Sequence, residues 1–133
     1  MIVIGCSLVK NIKNAISFPG MKLSEYINFQ IDIGDENIVV YSFGCNDLNS
    51  GATYEETFAN YNKLSRGKID TYLIVPPGQS QLIYDKFIDS ELLDNDFILL
   101  STWCCNYKTI DGLHPDDETA QILENELNLL PSC

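Results

Sequence analysis

The chain has 133 residues, 45% of them hydrophobic and 20% charged, which is the composition of a globular protein with a conventional core. Its 19 acidic and 8 basic residues leave a formal charge of -11, which repels phosphate backbones and anionic lipid surfaces and so argues against nucleic acid or a membrane as partner. Five cysteines, an odd count with no C-x-x-C spacing, fit neither a disulfide framework nor a zinc site, and they point to a reducing compartment.

No apolar run approaches the length of a membrane span. Met1 leads into a short apolar stretch with Lys10 and Lys13 after it, the reverse of a signal peptide, so a cytoplasmic location is expected. Without repeats, low-complexity tracts or linkers, the expectation is a single domain over residues 1–133.

Taken in chain order, the first element is a strand over residues 2–4, followed by a second over 15–18. A short helix is expected over 23–29, and then the apolar run 38–43 reads as a buried strand. Thr53 followed by Glu56 is a capping-box signal for a helix whose Tyr54, Phe58 and Tyr61 share one face. A strand over 72–75 meets the stop Pro76-Pro77-Gly78, after which a helix runs from Gln79 to about Leu93. The last strand is 97–100. Pro115, with Asp116, Asp117 and Glu118 at the positive end of the dipole, opens a final helix with an apolar stripe at Ala120, Leu123, Leu127 and Leu130. Strands alternating with helices mean βαβ units, a parallel sheet and right-handed crossovers. In such open sheets ligands bind beyond the carboxyl ends of the strands.

Three groups of residues carry chemistry, and each falls on that rim. The first strand runs into Gly5-Cys6-Ser7-Leu8, where Gly5 permits a sharp turn and Ser7 can expose its hydroxyl. The strand over 38–43 runs into Gly44-Cys45-Asn46-Asp47, where Asn46 can offer a neutral amide donor across the top of the sheet. The third is Asp111-Gly112-Leu113-His114-Pro115. His114 is the only histidine, and imidazole is the side chain whose ordinary pKa suits a base near neutrality. Asp111, three residues earlier, can hold its tautomer. Singly, the first reads as a serine capping the following segment and the second as an ordinary turn; together the three describe a hydroxyl nucleophile, a base, an orienting carboxylate and an oxyanion donor.

These blocks resemble the SGNH (GDSL-like) hydrolase superfamily. Gly5, Ser7 and Leu8 match its G-D-S-L turn; Gly44, Asn46 and Asp47 match G-x-N-D; and Asp111, His114 and Pro115 match D-x-x-H-P. Gly20, in Phe18-Pro19-Gly20, stands where the family's second block supplies an oxyanion glycine. The resemblance implies a flavodoxin-like three-layer α/β/α sandwich with a central parallel sheet. It further implies a serine esterase of small acyl esters, acetyl above all, with Ser7, Asp111 and His114 as triad. The oxyanion hole would comprise the N–H groups of Ser7 and Gly20 and the amide of Asn46. It implies no cofactor and no metal, and a small-molecule or carbohydrate ester as substrate. Cys6 replaces the block's aspartate, which in the family braces the active-site loops. The chain is short for the family, which favours a shallow, open acyl pocket.

Two other uses of the same residues are a fold retained as a binding module and an O-acyltransferase working through the same acyl-serine. A P-loop is absent. The sole arginine, Arg66, is too far along the chain from Cys6 to suggest a cysteine phosphatase.

Overall fold

A computed structural model describes residues 1–6, 9, 12, 14–75, 86, 91–100, 121 and 125. Its elements are β1 (Ile2–Gly5), β2 (Ile16–Ser17), α1 (Leu23–Tyr26), β3 (Ile38–Ser42), α2 (Cys45–Asn49), α3 (Tyr54–Tyr61), β4 (Asp70–Ile74) and β5 (Phe97–Leu100). The strands form one sheet in the order β2-β1-β3-β4-β5, every neighbouring pair parallel. The expected strands are all present, shifted by two residues or fewer at their ends.

β3 is the centre of the core, with all five residues buried. One face carries Tyr41, whose ring lies 6.1 Å from that of Tyr26 on α1. Tyr26 also stacks on Phe43, just past the strand, at 4.6 Å between centroids. α1 packs against α2 and α3 on this side. Val40 points the opposite way, because side chains alternate along a strand, and it is buried as completely as its neighbour Val39. Both faces are therefore covered. The architecture is the three-layer α/β sandwich of flavodoxin-like proteins, which places β1 between β2 and β3.

Local chemistry sets the joints. The Thr53 hydroxyl accepts from the Glu56 N–H at 3.1 Å, as the capping signal predicts, and Phe58 and Tyr61 bury the apolar face of α3. The Tyr61 hydroxyl donates to the Phe43 carbonyl, tying α3 to the end of β3. Arg66 follows α3: its guanidinium donates to the Leu64 carbonyl, pairs with Asp94 and Asp96, and lies 3.9 Å over the Phe97 ring. The ion pairs are partly exposed and add little by themselves. Combined with the ring contact, they hold the edge strand β5 beside β4.

Gly5 has a different role from the sharp turn expected of it. It is a strand residue, paired with Ser42 of β3, and it is not among the residues with positive φ. A Cβ placed there would lie 2.7 Å from the Ser42 carbonyl oxygen, 2.8 Å from its Cβ and 2.9 Å from Val9 Cγ2. The glycine is required by close approach of neighbouring chain. Gly20 is the residue that needs its conformational freedom. Phe18–Met21 is a turn closed by the Met21 N–H on the Phe18 carbonyl at 3.1 Å, with Pro19 and Gly20 (φ 76°) in the positions a type II turn requires.

The short helix α2 was not expected; its residues read as a turn. The helix expected from Gln79 and the final helix lie largely outside the described residues. Within them, Lys86 is helical, residues 91–93 form a turn, and Gln121 and Asn125 are helical with their side chains hydrogen-bonded at 2.9 Å.

Replacing Gly5 with alanine should destabilise the fold by about 1–3 kcal/mol, the usual cost of overpacking a dense core. Urea denaturation of the purified variant measures this. Stability equal to that of the wild type would mean that β1 and β3 separate easily and that the contact is unimportant.

Candidate active site

In a sheet of order 2-1-3-4-5 the chain leaves β1 towards one edge and β3 towards the other, which opens a crevice between them at the carboxyl end. The residues on its two sides are Cys6 and Gly44. Cys6 is fixed at every backbone position: its N–H donates to the Ser42 carbonyl at 3.0 Å, and its own carbonyl accepts from Ser17 Oγ at 3.0 Å and the Val9 N–H at 3.2 Å. The Phe18 N–H reaches back to the Gly5 carbonyl at 2.8 Å. The end of β1 is thus anchored to both neighbouring strands.

On the other side, Gly44 adopts φ 104° and turns the chain from β3 directly into α2. Asn46 and Asp47 fall on the first turn of that helix, facing the segment that follows the Phe18–Met21 turn. Asn46 Nδ2 donates to the Met21 carbonyl at 3.1 Å. The Asp47 carboxylate accepts from the Leu23 N–H at 2.6 Å and the Ser24 N–H at 3.1 Å. Donation to a carbonyl decides which end of the Asn46 amide is nitrogen. It uses one of the two amide hydrogens, and among the described residues no acceptor engages the second. Nor does any described residue accept from the Gly20 N–H.

Of the five residues expected at the site, Gly20 and Asn46 are described: Asn46 is bonded to the carbonyl of Met21, the residue after Gly20. Ser7, Asp111 and His114 lie outside the described residues. Asp47 lies at this crevice too, and sequence reasoning assigned it no role, although it completes the G-x-N-D block. Its partners are 23 and 24 residues away, beyond the reach of any local pattern.

Both thiols at the crevice are buried. The Cys45 thiol is pushed up to about 11, first by burial and then by the electrostatic influence of Cys6, while Asn49 Nδ2 at 3.5 Å works in the opposite direction. Cys45 is therefore a thiol, not a thiolate, at neutral pH, which makes it a poor nucleophile. Tyr61 is raised well above its ordinary value by burial, aided by Asp47, Cys45 and Cys6, so its hydroxyl remains a donor. Among the described residues no group of three or more His, Cys, Asp or Glu side chains could hold a metal ion.

No protein-family model matches the chain, and no curated protein matches it in sequence. A solved structure from Streptococcus pneumonia, named a "putative platelet activating factor", is similar in fold with a TM-score of 0.73. The two are 14% identical, and the match covers 96% of this chain and 81% of the other. At that identity the likeness concerns architecture, and it agrees with the sandwich described above. No helix among the described residues is long and apolar enough to cross a membrane.

In the native protein Cys45 should resist iodoacetamide at pH 8 and react fully once unfolded, as followed by peptide mass mapping. A raised pKa leaves only a small thiolate fraction at that pH, and burial limits access further. Rapid native alkylation would show that the crevice floor is open.

Proposed function

We propose that the chain is a serine ester hydrolase of the SGNH type, acting on small acyl esters, acetyl esters first among them. The observation that supports this best is the Asn46 amide. It is oriented by the Met21 carbonyl at the β1–β3 crevice and has a second hydrogen that no described acceptor engages. A neutral, pre-oriented donor at the carboxyl rim of a parallel sheet is what an oxyanion hole requires, because it stabilises developing charge without reorganising. The block pattern around Ser7, Asp111 and His114 supplies the remaining roles.

In this mechanism Ser7 Oγ attacks the acyl carbon while His114 takes its proton, and Asp111 keeps the imidazole in the receiving tautomer. The carbonyl oxygen becomes an oxyanion held by the N–H groups of Ser7 and Gly20 and by Asn46 Nδ2. The alcohol leaves with the proton from His114. Water, deprotonated by the same imidazole, then breaks the acyl-serine ester and regenerates the hydroxyl. No metal or cofactor takes part.

The wild type should hydrolyse p-nitrophenyl acetate and lose activity as the acyl chain lengthens. Ser7→Ala and His114→Ala should each remove nearly all of that rate, with little further loss in the double variant, because the two act as a unit. The rate should rise with pH through the imidazole range around 6.5 and then level, since His114 must be neutral to accept a proton. Equal rates for wild type and Ser7→Ala would favour the binding module. Transfer of the acetyl group to an added glycan in preference to water would make the chain an acyltransferase.

Asn46→Ala should lower kcat on the order of 100-fold or more, as loss of one oxyanion donor does elsewhere, with KM little altered. A change confined to KM would place Asn46 in substrate binding instead.

A further inference from the structure

Asp47 is 2% exposed, and its carboxylate accepts from two backbone N–H groups. A carboxylate so far removed from water is costly unless its oxygens are hydrogen-bonded, and here each oxygen has a donor. The donors are the first two residues of α1, whose N–H groups point out of the helix start with no acceptor in the helix itself. One residue earlier on α2, Asn46 grips the Met21 carbonyl. Consecutive side chains of α2 thus hold consecutive peptides of the 21–24 segment with opposite polarity. The amide donates to a carbonyl and the carboxylate accepts from two N–H groups.

That opposition has a mechanical consequence. The Asn46–Met21 bond alone leaves the segment free to pivot about one point. The Asp47 pair fixes it at two more, so sliding the 20–24 segment along α2 breaks bonds of both kinds. Gly20, the other oxyanion donor, is the residue before Met21 and has no side chain to anchor it; its Cβ position faces open space.

We propose that Asp47 is a positioning residue that fixes the separation of the two oxyanion donors, the Gly20 N–H and the Asn46 amide. The assignment rests on the esterase reading above. It goes beyond stabilisation of the fold, because it makes the rate of the chemical step depend on a carboxylate that touches no substrate.

The test is the kinetics of Asp47→Asn on p-nitrophenyl acetate, at a temperature where circular dichroism shows the variant folded. The amide keeps the size of the side chain but replaces one acceptor oxygen with a donor that faces an N–H. A fall in kcat of roughly 10- to 100-fold is expected, since displacement of a catalytic group by about 1 Å costs rate on this scale. KM should stay within about twofold, and the midpoint of the pH profile should not move, because the base is intact. In Asn46→Ala/Asp47→Asn the combined loss should be much smaller than the product of the single losses, as for residues that act through one another. A purely structural role predicts multiplying losses and recovery in proportion to folded fraction. Either of those results overturns the assignment, as does Asp47→Asn with wild-type kcat. If Asp47→Asn fails to fold, Ser24→Pro removes one donor at an exposed first-turn position and leaves the carboxylate in place; the same kcat-selective loss supports the assignment and an unchanged kcat overturns it. A wild type inactive on all esters tried overturns the esterase reading and this assignment with it. An active wild type with an indifferent Asp47 overturns the assignment alone.

Discussion

A buried carboxylate constrains this rim more than any other group. Asp47 lies in the interior with backbone N–H groups as its partners, and such a group tolerates little movement of its donors. Loss of either hydrogen bond would leave an oxygen of a buried acid unsatisfied. The two segments that it joins, α2 and the start of α1, are therefore tied by hydrogen bonds from side chain to backbone, although each is a helix of only one turn or so. Tyr61 extends the tie by donating to the Phe43 carbonyl, so that α3 supports β3 where the chain enters α2. The aromatic stack of Tyr26 on Phe43 closes the same corner from the side of α1.

The sheet explains why the rigidity is concentrated here. Between β1 and β3 the chain departs in opposite directions, and side chains tie the segment after β2 to α2: Asn46 on the Met21 carbonyl and Asp47 on the Leu23 and Ser24 N–H groups. Gly5 allows β1 to approach Ser42 closely, and the Cys6 N–H bonded to the Ser42 carbonyl carries the pairing one residue beyond the strand. The formal charge of -11 discourages anionic partners across the whole surface, whereas the oxyanion site proposed above relies on neutral dipoles. Long-range repulsion and local oxyanion stabilisation are compatible because fixed N–H groups act over a few ångströms inside a low-dielectric crevice.

Much of the fold was legible from local chemistry. The β-branched run of β3 and the Thr53 cap each carry their instruction in adjacent residues, and each appears where expected. What was not legible depends on distant partners. α2 has the composition Cys-Asn-Asp-Leu-Asn, poor in helix formers, and it exists because Asn46 and Asp47 find acceptors and donors across the crevice. The role of Gly5 was misread for a related reason, since the obstacle to a side chain is supplied by β3 and Val9 and not by its own turn. At the site, Gly20 and Asn46 were expected from the blocks, while the Asn46–Met21 and Asp47 hydrogen bonds join residues 23 to 25 positions apart and leave no local mark in the sequence. Ser7, Asp111 and His114 stand on the block pattern.

The cysteine at position 6 is intelligible in the same terms. The resemblance to SGNH hydrolases implies an aspartate there as a brace, and its replacement would be expected to loosen the turn after β1. The backbone of Cys6 is nevertheless held by Ser42, Ser17 and Val9. The electrostatics favour the thiol. Position 6 is 1% exposed and acts electrostatically on Cys45 and Tyr61, as Asp47 does, in a pocket that already contains one buried acid. A second carboxylate would repel the first and would need donors of its own, and each buried charge without them costs several kcal/mol at order of magnitude. A small neutral thiol fills the space without either demand, which leaves Asp47 as the one anionic clamp on the rim among the described residues.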